Sequence, residues 1–117
     1  MLKPFIGARD YALSREFYQA LGWQLNFDTG DLAELVLDDC RFLLQRYYQA
    51  DWCSNTMLQL TVDSAEEWFS RITEVLAARA FDGARVQAPA QQDYGALVTF
   101  LWDPSGVLWH LTEYPPS

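Results

Sequence analysis

The feature of this sequence that most restricts its fold is an order of secondary structure that occurs twice. In each half, a strand-like run leads into an amphipathic helix, and three more strand-like runs follow that helix. The apolar positions at helical spacing are Leu13, Phe17, Ala20 and Leu21 in the first half, and Trp68, Phe69, Ile72, Val75 and Leu76 in the second. A repeat with a period close to half of the chain indicates one motif duplicated within a single domain.

Polar residues mark the starts of both predicted helices. Asp10 is placed to cap the first helix, and Gly22 is placed to end it in a left-handed turn. Ser64 and Glu67 have the spacing of a capping box at the start of the second helix, where Asp63 adds negative charge. The start of each helix is therefore predicted from local residues alone.

Strands are predicted around these helices, together with a linker and a loop. The strands are Lys3–Ala8, Trp23–Phe27, Leu32–Leu37 and Arg41–Arg46 in the first half, and Thr56–Val62, Ala84–Gln87, Ala96–Trp102 and Val107–Glu113 in the second. Asp103–Gly106 is a strong hairpin signal, and Ala88–Gly95, rich in Pro and Gln, is predicted to be a loop. The predicted organisation is one domain over residues 1–117, with a first module at 1–46, a linker at 47–55 and a second module at 56–117.

Composition and charge argue against several classes of function. Half of the 117 residues are hydrophobic, which is enough for a sizeable core. The net charge of −8 argues against nucleic acid and anionic membranes as partners, because both select clusters of Lys and Arg. The same charge would suit a cationic ligand, although excess acidic residues on a small protein commonly serve solubility alone.

The sequence also indicates where the protein resides and how its thiols behave. No apolar run approaches the ~20 residues that a transmembrane helix needs, and Met1–Phe5 lacks the features of a secretory signal. We therefore expect a cytoplasmic protein. Cys40 and Cys53 have no zinc-site spacing, so we expect two free thiols.

Several short segments, taken together, resemble a known superfamily. They are Ala8–Asp10 and Glu16–Trp23 in the first module, and Val62-Asp63, Tyr94-Gly95 and Asp103–Trp109 in the second. In this combination the chain resembles the vicinal oxygen chelate superfamily, which includes glyoxalase I, extradiol dioxygenases, and fosfomycin- and bleomycin-resistance proteins. The resemblance covers nearly the whole chain. It implies an α+β fold in which tandem βαβββ modules form a curved mixed sheet with an open cleft, usually completed by dimerisation.

Catalytic members of that superfamily hold a divalent metal with His, Gln and Glu side chains. Transferring their ligand positions to this chain gives Lys3, then Leu44 or Gln45, then Met57, and last His110. Only His110 would be a good ligand, with Gln45 a weak second, and a catalytic metal typically needs three protein ligands. We therefore predict no metal and no other cofactor.

His110 is the only histidine, and two hypotheses for it stay open. It could be a ligand contact or an acid/base group, because an imidazole can serve in either role, or it could be a hydrogen-bonded side chain in the wall of the cleft. Strand alternation and the many aromatic residues give the expected lining of the cleft. That lining is His110, Met57, Gln59, Phe42, Leu44, Gln45, Leu108, Trp102 and Trp52.

The predicted function is binding of a small molecule without a metal. The resemblance to bleomycin-resistance proteins implies that a homodimer holds an apolar or aromatic ligand, and the acidic charge would suit a cationic one. Two alternatives remain at this stage. One is a metal-dependent lyase or dioxygenase of the same superfamily with atypical ligands, and the other is a metal-free enzyme that uses His110 as its acid or base.

Overall fold

The computed structural model of the chain describes residues 1–116 and contains two modules of similar design. The first module consists of β1 (Phe5–Gly7), α1 (Tyr11–Ala20), β2 (Gln24–Asp28), β3 (Leu32–Leu37) and β4 (Cys40–Gln45). A short helix, α2 (Ala50–Asn55), connects it to the second module. The second module consists of β5 (Met57–Thr61), α3 (Ala65–Ala78), β6 (Arg85–Gln91), β7 (Leu97–Trp102) and β8 (Leu108–Glu113).

Each module forms its own four-stranded mixed sheet. The strand orders are β1-β4-β3-β2 and β5-β8-β7-β6, so the first strand of each module pairs with the last. That pairing is parallel in both sheets, whereas the other pairs are antiparallel. A parallel pair needs a long connection, and in each module a helix and two further strands lie between the two paired strands. The predicted tandem βαβββ architecture is confirmed.

The helix starts agree with the sequence predictions. Asp10 accepts a hydrogen bond from the Leu13 amide at 3.1 Å, and Ser64 accepts one from the Glu67 amide at 3.1 Å. Glu113, from the last strand, accepts a further bond from the first amide of α3 at 2.9 Å. Gly22 has a φ of 111°, which is the left-handed conformation expected after the end of α1.

The buried face of α1 differs from the predicted one. Tyr11, Ser14, Phe17 and Tyr18 are buried, whereas Ala20 is exposed. Ser14 can be buried because its hydroxyl lies 3.4 Å from that of Ser105 in the opposite module. Helical periodicity assigned Ala20 to the core because it is apolar, but a small residue near the end of a helix is buried only if another element covers it.

Two other predictions need correction, in the linker and in β6. Cys53 lies in α2 and is buried, although the sequence placed it in a loop. The close approach of this segment to β1 needs Gly7, because a Cβ there would lie 2.6 Å from the Tyr47 carbonyl oxygen. Strand β6 continues through Ala88–Gln91, which was predicted to be loop. Its pairing with β7 shifts register around Pro89, so the proline nitrogen, which carries no hydrogen, does not have to donate a hydrogen bond to β7.

The two modules share one hydrophobic core. Trp109 of β8 packs against Tyr18, Trp23 and Phe42 of the first module, with ring centroids 5.5–5.9 Å apart. Both cysteines are free thiols, as predicted. Within residues 1–116, no helix is both long enough and apolar enough to cross a membrane.

Candidate functional site

Each sheet has an inner face on the core and an outer face without a covering helix. On the second sheet, strand pairing places Gln59 opposite His110, His110 opposite Phe100, and Leu108 opposite Trp102. These side chains alternate with buried Leu60, Trp109 and Leu111. The outer face of the second sheet carries the side chains of Met57, Gln59, Arg85, Phe100, Trp102, Leu108 and His110.

His110 lies at the centre of this outer face among weakly polar groups. Its Nε2 atom is 3.2 Å from the sulfur of Met57, and the Phe100 ring meets its imidazole edge-on at a centroid distance of 4.8 Å. Within the described residues, no acidic side chain forms a hydrogen bond or ion pair with His110. The imidazole is therefore oriented by the Met57 sulfur and the Phe100 ring, and its ring nitrogens are available to a ligand.

Trp102 shows that this face can hold a cation. The guanidinium carbon of Arg85 lies over the Trp102 ring, 3.8 Å from its centroid. This is a cation–π contact, which a ligand cation could make in the same way. At the other end of the face, Gln59 donates a hydrogen bond to the Tyr114 hydroxyl at 2.8 Å.

The outer face of the first sheet has a buried charged centre. Glu34 is 2% exposed and accepts a hydrogen bond from Asn26 at 2.7 Å, and its other oxygen lies 2.9 Å from Lys3 Nζ. The Asn26 hydrogen bond and the Lys3 ammonium lower the pKa of the Glu34 carboxyl group. Phe5, on the same face, is 59% exposed.

The strand register shows which residues of the first module correspond to Met57 and His110 of the second. In the first sheet the Leu43 amide donates a hydrogen bond to the Pro4 carbonyl, and in the second sheet the Leu108 amide donates one to the Thr56 carbonyl. The next residues along, Phe5 of the first module and Met57 of the second, therefore correspond to each other. By the same register, Gln45 corresponds to His110. Phe5, and not Lys3, is thus the counterpart of Met57 in the first module, and Gln45, not Leu44, is the counterpart of His110.

These side chains do not fit a catalytic metal. Phenylalanine has no donor atom, and the thioether of Met57 is a soft ligand that suits neither Mg²⁺ nor Mn²⁺. Over residues 1–116, no three His, Cys, Asp or Glu side chains are grouped so as to hold a metal ion. These residues therefore supply too few suitable ligands for metal-dependent chemistry at this position.

The structure brings together only part of the predicted cleft lining. Met57, Gln59, Trp102, Leu108 and His110 share the outer face of the second sheet, and Gln45 lies on that of the first. Phe42 and Leu44 are 1% and 0% exposed on the inner face of β4, so they do not line an outer face. Trp52 lies on α2, 63% exposed, where its ring packs near that of Tyr47.

Sequence reasoning missed Phe100 and Arg85 as members of this face. Phe100 follows from the register of β7 with β8, which pairs it with His110. A hairpin closed at Asp103–Gly106 sets this register, so the signal was present in the sequence. Arg85 could not be found in this way, because the predicted loop Ala88–Gly95 does not fix the register that pairs Arg85 with Trp102.

Comparison with known proteins was made for the whole chain. No family model matches it, and no curated protein is significantly similar to it. Solved structures do match: a bleomycin-binding protein complexed with bleomycin is 22% identical with a TM-score of 0.82, over 98% of each chain. A bleomycin resistance determinant encoded on the transposon Tn5 is 21% identical with a TM-score of 0.83, over 99% of this chain and 98% of that one. The chain has the glyoxalase/bleomycin-resistance fold.

The predicted glyoxalase/bleomycin-resistance fold is thus confirmed. Another match with this fold is lactoylglutathione lyase from Agrobacterium tumefaciens, 15% identical with a TM-score of 0.71, over 97% of this chain and 92% of that one. The glyoxalase/bleomycin-resistance fold therefore serves both binding proteins and an enzyme, and function has to be argued from the site.

Proposed function

We propose that this protein binds a small apolar or aromatic molecule, with a preference for cationic ones, without a catalytic metal. The observation that most supports this proposal is the make-up of the outer face of the second sheet. There the apolar and aromatic side chains of Trp102, Phe100 and Met57 lie around the polar side chains of His110 and Gln59. Pockets for small molecules combine apolar walls with a few polar groups that fix orientation. The residues at the metal positions support binding over metal-dependent lyase or dioxygenase chemistry, because they cannot supply a set of three ligands.

Charge and stacking support a cationic ligand. The net charge of −8 attracts cations over a distance of about one Debye length, roughly 8 Å at physiological ionic strength. At the face itself, Trp102 already holds the Arg85 guanidinium at 3.8 Å. A planar cationic ligand would take over this stacking position, displacing Arg85 to the solvent.

A second copy of the chain would complete the cleft. Phe5 is 59% and Met57 62% exposed, which is unusual for apolar side chains on strands of a folded monomer. In the proposed homodimer, the outer face of the first sheet of one copy faces the outer face of the second sheet of the other. The ligand would lie between them, so that one wall carries His110 and the other carries Gln45.

Calorimetric titration with metal-free bleomycin tests the proposal, because bleomycin is the ligand of one structural neighbour. We expect saturable binding by the wild type and at least a tenfold loss of affinity in Trp102→Ala, since stacking of a cation on a desolvated ring contributes about 1–2 kcal/mol. Tyr48→Ala is the control, because Tyr48 is also partly exposed but lies in the linker. Equal affinity of wild type and Trp102→Ala would contradict the placement of the site.

Elemental analysis separates binding from metal-dependent catalysis. The protein is incubated with Ni²⁺, Zn²⁺, Mn²⁺ and Fe²⁺, desalted thoroughly and analysed for bound metal. We expect much less than one ion per chain, because the metal positions carry Phe5, Gln45, Met57 and His110. Retention of one ion per chain, lost in His110→Ala, would overturn the metal-free proposal in favour of the enzyme.

A further inference from the structure

A second cleft lies at the seam between the two sheets, and we call it the seam cleft. Its volume is about 510 Å³, and its floor is formed by Trp23, Phe42 and Trp109. Leu58 and Leu60 of β5 form one side. These five side chains belong to the inner faces of the sheets, whereas Arg41 and Gln59, which also line the cleft, belong to the outer faces. The seam cleft therefore adjoins the outer faces but does not include Trp102 or His110.

The seam cleft exists because two strands have open edges there. Strand β1 begins at Phe5 and pairs only with Leu43–Gln45, so the start of β4 at Cys40–Phe42 has no partner on that side. Strand β5 is an edge of its sheet and pairs with β8 alone. In parallel pairing alternate residues bond to the neighbour, so the backbone N–H and C=O of Gln59 point away from β8, toward the seam cleft.

Arg41 brings a positive group to the mouth of this cleft. Its Nε atom is buried and has no hydrogen-bond partner among residues 1–116. Its Nη1 atom is 3.6 Å from Glu34, whose carboxylate is already in contact with Lys3 at 2.9 Å. Two cations thus share one carboxylate, and the guanidinium keeps donors for a further anion.

We propose that the seam cleft binds a small aromatic or alicyclic carboxylate. The apolar ring would pack on Trp23, Phe42 and Trp109, and the carboxylate would accept hydrogen bonds from Arg41. The volume lies within the range of roughly 300–1,000 Å³ that is typical of small-molecule sites. A guanidinium binds a carboxylate through two parallel hydrogen bonds, which gives both affinity and orientation.

Asp39 is the one lining residue that opposes an anion. It is exposed at the rim, beside the Cys40 thiol, whose sulfur is 3.9 Å from its carboxylate. Desolvation and the nearby Asp39 and Asp38 charges raise the pKa of the Cys40 thiol, so Cys40 is neutral and adds no negative charge near pH 7. Removing the Asp39 charge should therefore strengthen binding of a carboxylate.

The test uses 2-naphthoate and its uncharged amide, 2-naphthamide, as probes. Binding is followed by quenching of tryptophan fluorescence, because two tryptophans form the floor of the cleft. We expect Arg41→Met to weaken naphthoate binding at least tenfold and to leave naphthamide binding unchanged, since only the carboxylate forms a charge-assisted hydrogen bond with the guanidinium. Asp39→Asn should tighten naphthoate binding by several-fold.

Arg85→Met is the matched control, because it removes a guanidinium from the outer face of the second sheet. It should bind naphthoate like the wild type. Absence of saturable binding to the wild type, or equal affinity of wild type and Arg41→Met, would overturn the proposal. If Arg85→Met, and not Arg41→Met, lost affinity for naphthoate, the carboxylate would bind on the outer face of the second sheet. That result would also overturn the proposal.

This inference stands apart from the bleomycin test. Trp102→Ala changes the outer face of the second sheet but no residue that lines the seam cleft, so naphthoate binding by this variant should equal that of the wild type. Urea unfolding of each variant shows that it is folded, so that a lost affinity is assigned to the missing charge and not to a missing structure.

Discussion

Individual residues of the recognisable sequence segments act in the structure as links between modules. The Tyr18 hydroxyl donates a hydrogen bond to Asp103 at 2.7 Å and accepts one from the Trp109 indole at 2.9 Å. Asp103 also accepts the Ser105 and Val107 amides at 2.8 and 2.9 Å. Burial raises the pKa of the Asp103 carboxyl group, while these hydrogen bonds act to lower it. The pair therefore joins α1 to the β7–β8 hairpin.

Replacing Tyr18 with Phe should destabilise the fold without changing its shape. The substitution leaves a carboxylate oxygen and an indole N–H buried with one partner fewer each, at a cost of about 1–3 kcal/mol. Urea unfolding followed by circular dichroism measures the change in the free energy of unfolding. Tyr48→Phe in the exposed linker is the control and should change it by less than about 0.5 kcal/mol. A similarly small effect at Tyr18 would mean that water replaces the hydroxyl.

Strand alternation explains how much of the candidate site could be predicted residue by residue. It correctly grouped Met57, Gln59, Leu108 and His110, because β5 and β8 pair in one unbroken register. It placed Phe42 and Leu44 on the outer face, whereas both lie on the inner face, where Phe42 lines the seam cleft. Alternation separates two faces but does not show which one covers the core. Trp52 belongs to a linker, where no periodic signal exists to place a side chain.

At the level of secondary-structure elements, the clear local signals correspond to the accurate predictions. The predicted strand Leu32–Leu37 agrees with β3 at both ends, and the turns on either side of it carry Gly30 and Asp38 in left-handed conformations. Helix α2 was missed because it has six residues and the side chain of its N-cap residue, Gln49, makes no capping hydrogen bond. Such a helix depends on packing rather than on its own sequence.

Helix α3 offers a direct test of capping. Ser64→Ala removes the bond from the Glu67 amide to the serine hydroxyl and should lower the free energy of unfolding by about 1 kcal/mol. The effect should lie toward the lower end of the usual range, because Glu113 still accepts the Ala65 amide. Ser70→Ala, on the exposed side of the same helix, is the control and should be neutral or slightly stabilising, since alanine favours helix. Equal unfolding midpoints for the two variants would show that the cap is dispensable.

At the scale of the whole molecule, duplication produces two sheets that share a core but leave two outer faces open. The repeated order of elements was visible in the sequence. How the two modules face one another was not visible, because it depends on contacts between residues far apart in the chain. Arg9, for example, donates its amide hydrogen to Ser105 of the second module at 2.9 Å.

Dimerisation is the prediction that belongs to this scale. If the outer faces meet between two copies, sedimentation velocity should give a species of twice the 13.5 kDa chain mass at micromolar concentration. Phe5→Lys places a charge on the exposed edge strand β1 and should raise the dimer dissociation constant at least tenfold, since burying an unpaired ammonium costs more than 1.4 kcal/mol. The control is Ala77→Lys, a lysine on the exposed side of α3.

If two chains together form the ligand cleft, a variant that disrupts the dimer should also lose affinity for bleomycin. Phe5→Lys leaves Trp102 and His110 of each copy unchanged, so a loss of bleomycin affinity in step with dimer dissociation would show that each cleft needs both chains. Full bleomycin binding by a monomeric Phe5→Lys variant would instead place the site on a single outer face, with the second sheet sufficient for binding. A wild-type protein that sediments as a monomer yet binds bleomycin would lead to the same conclusion, because the exposed Phe5 and Met57 would then have no partner chain.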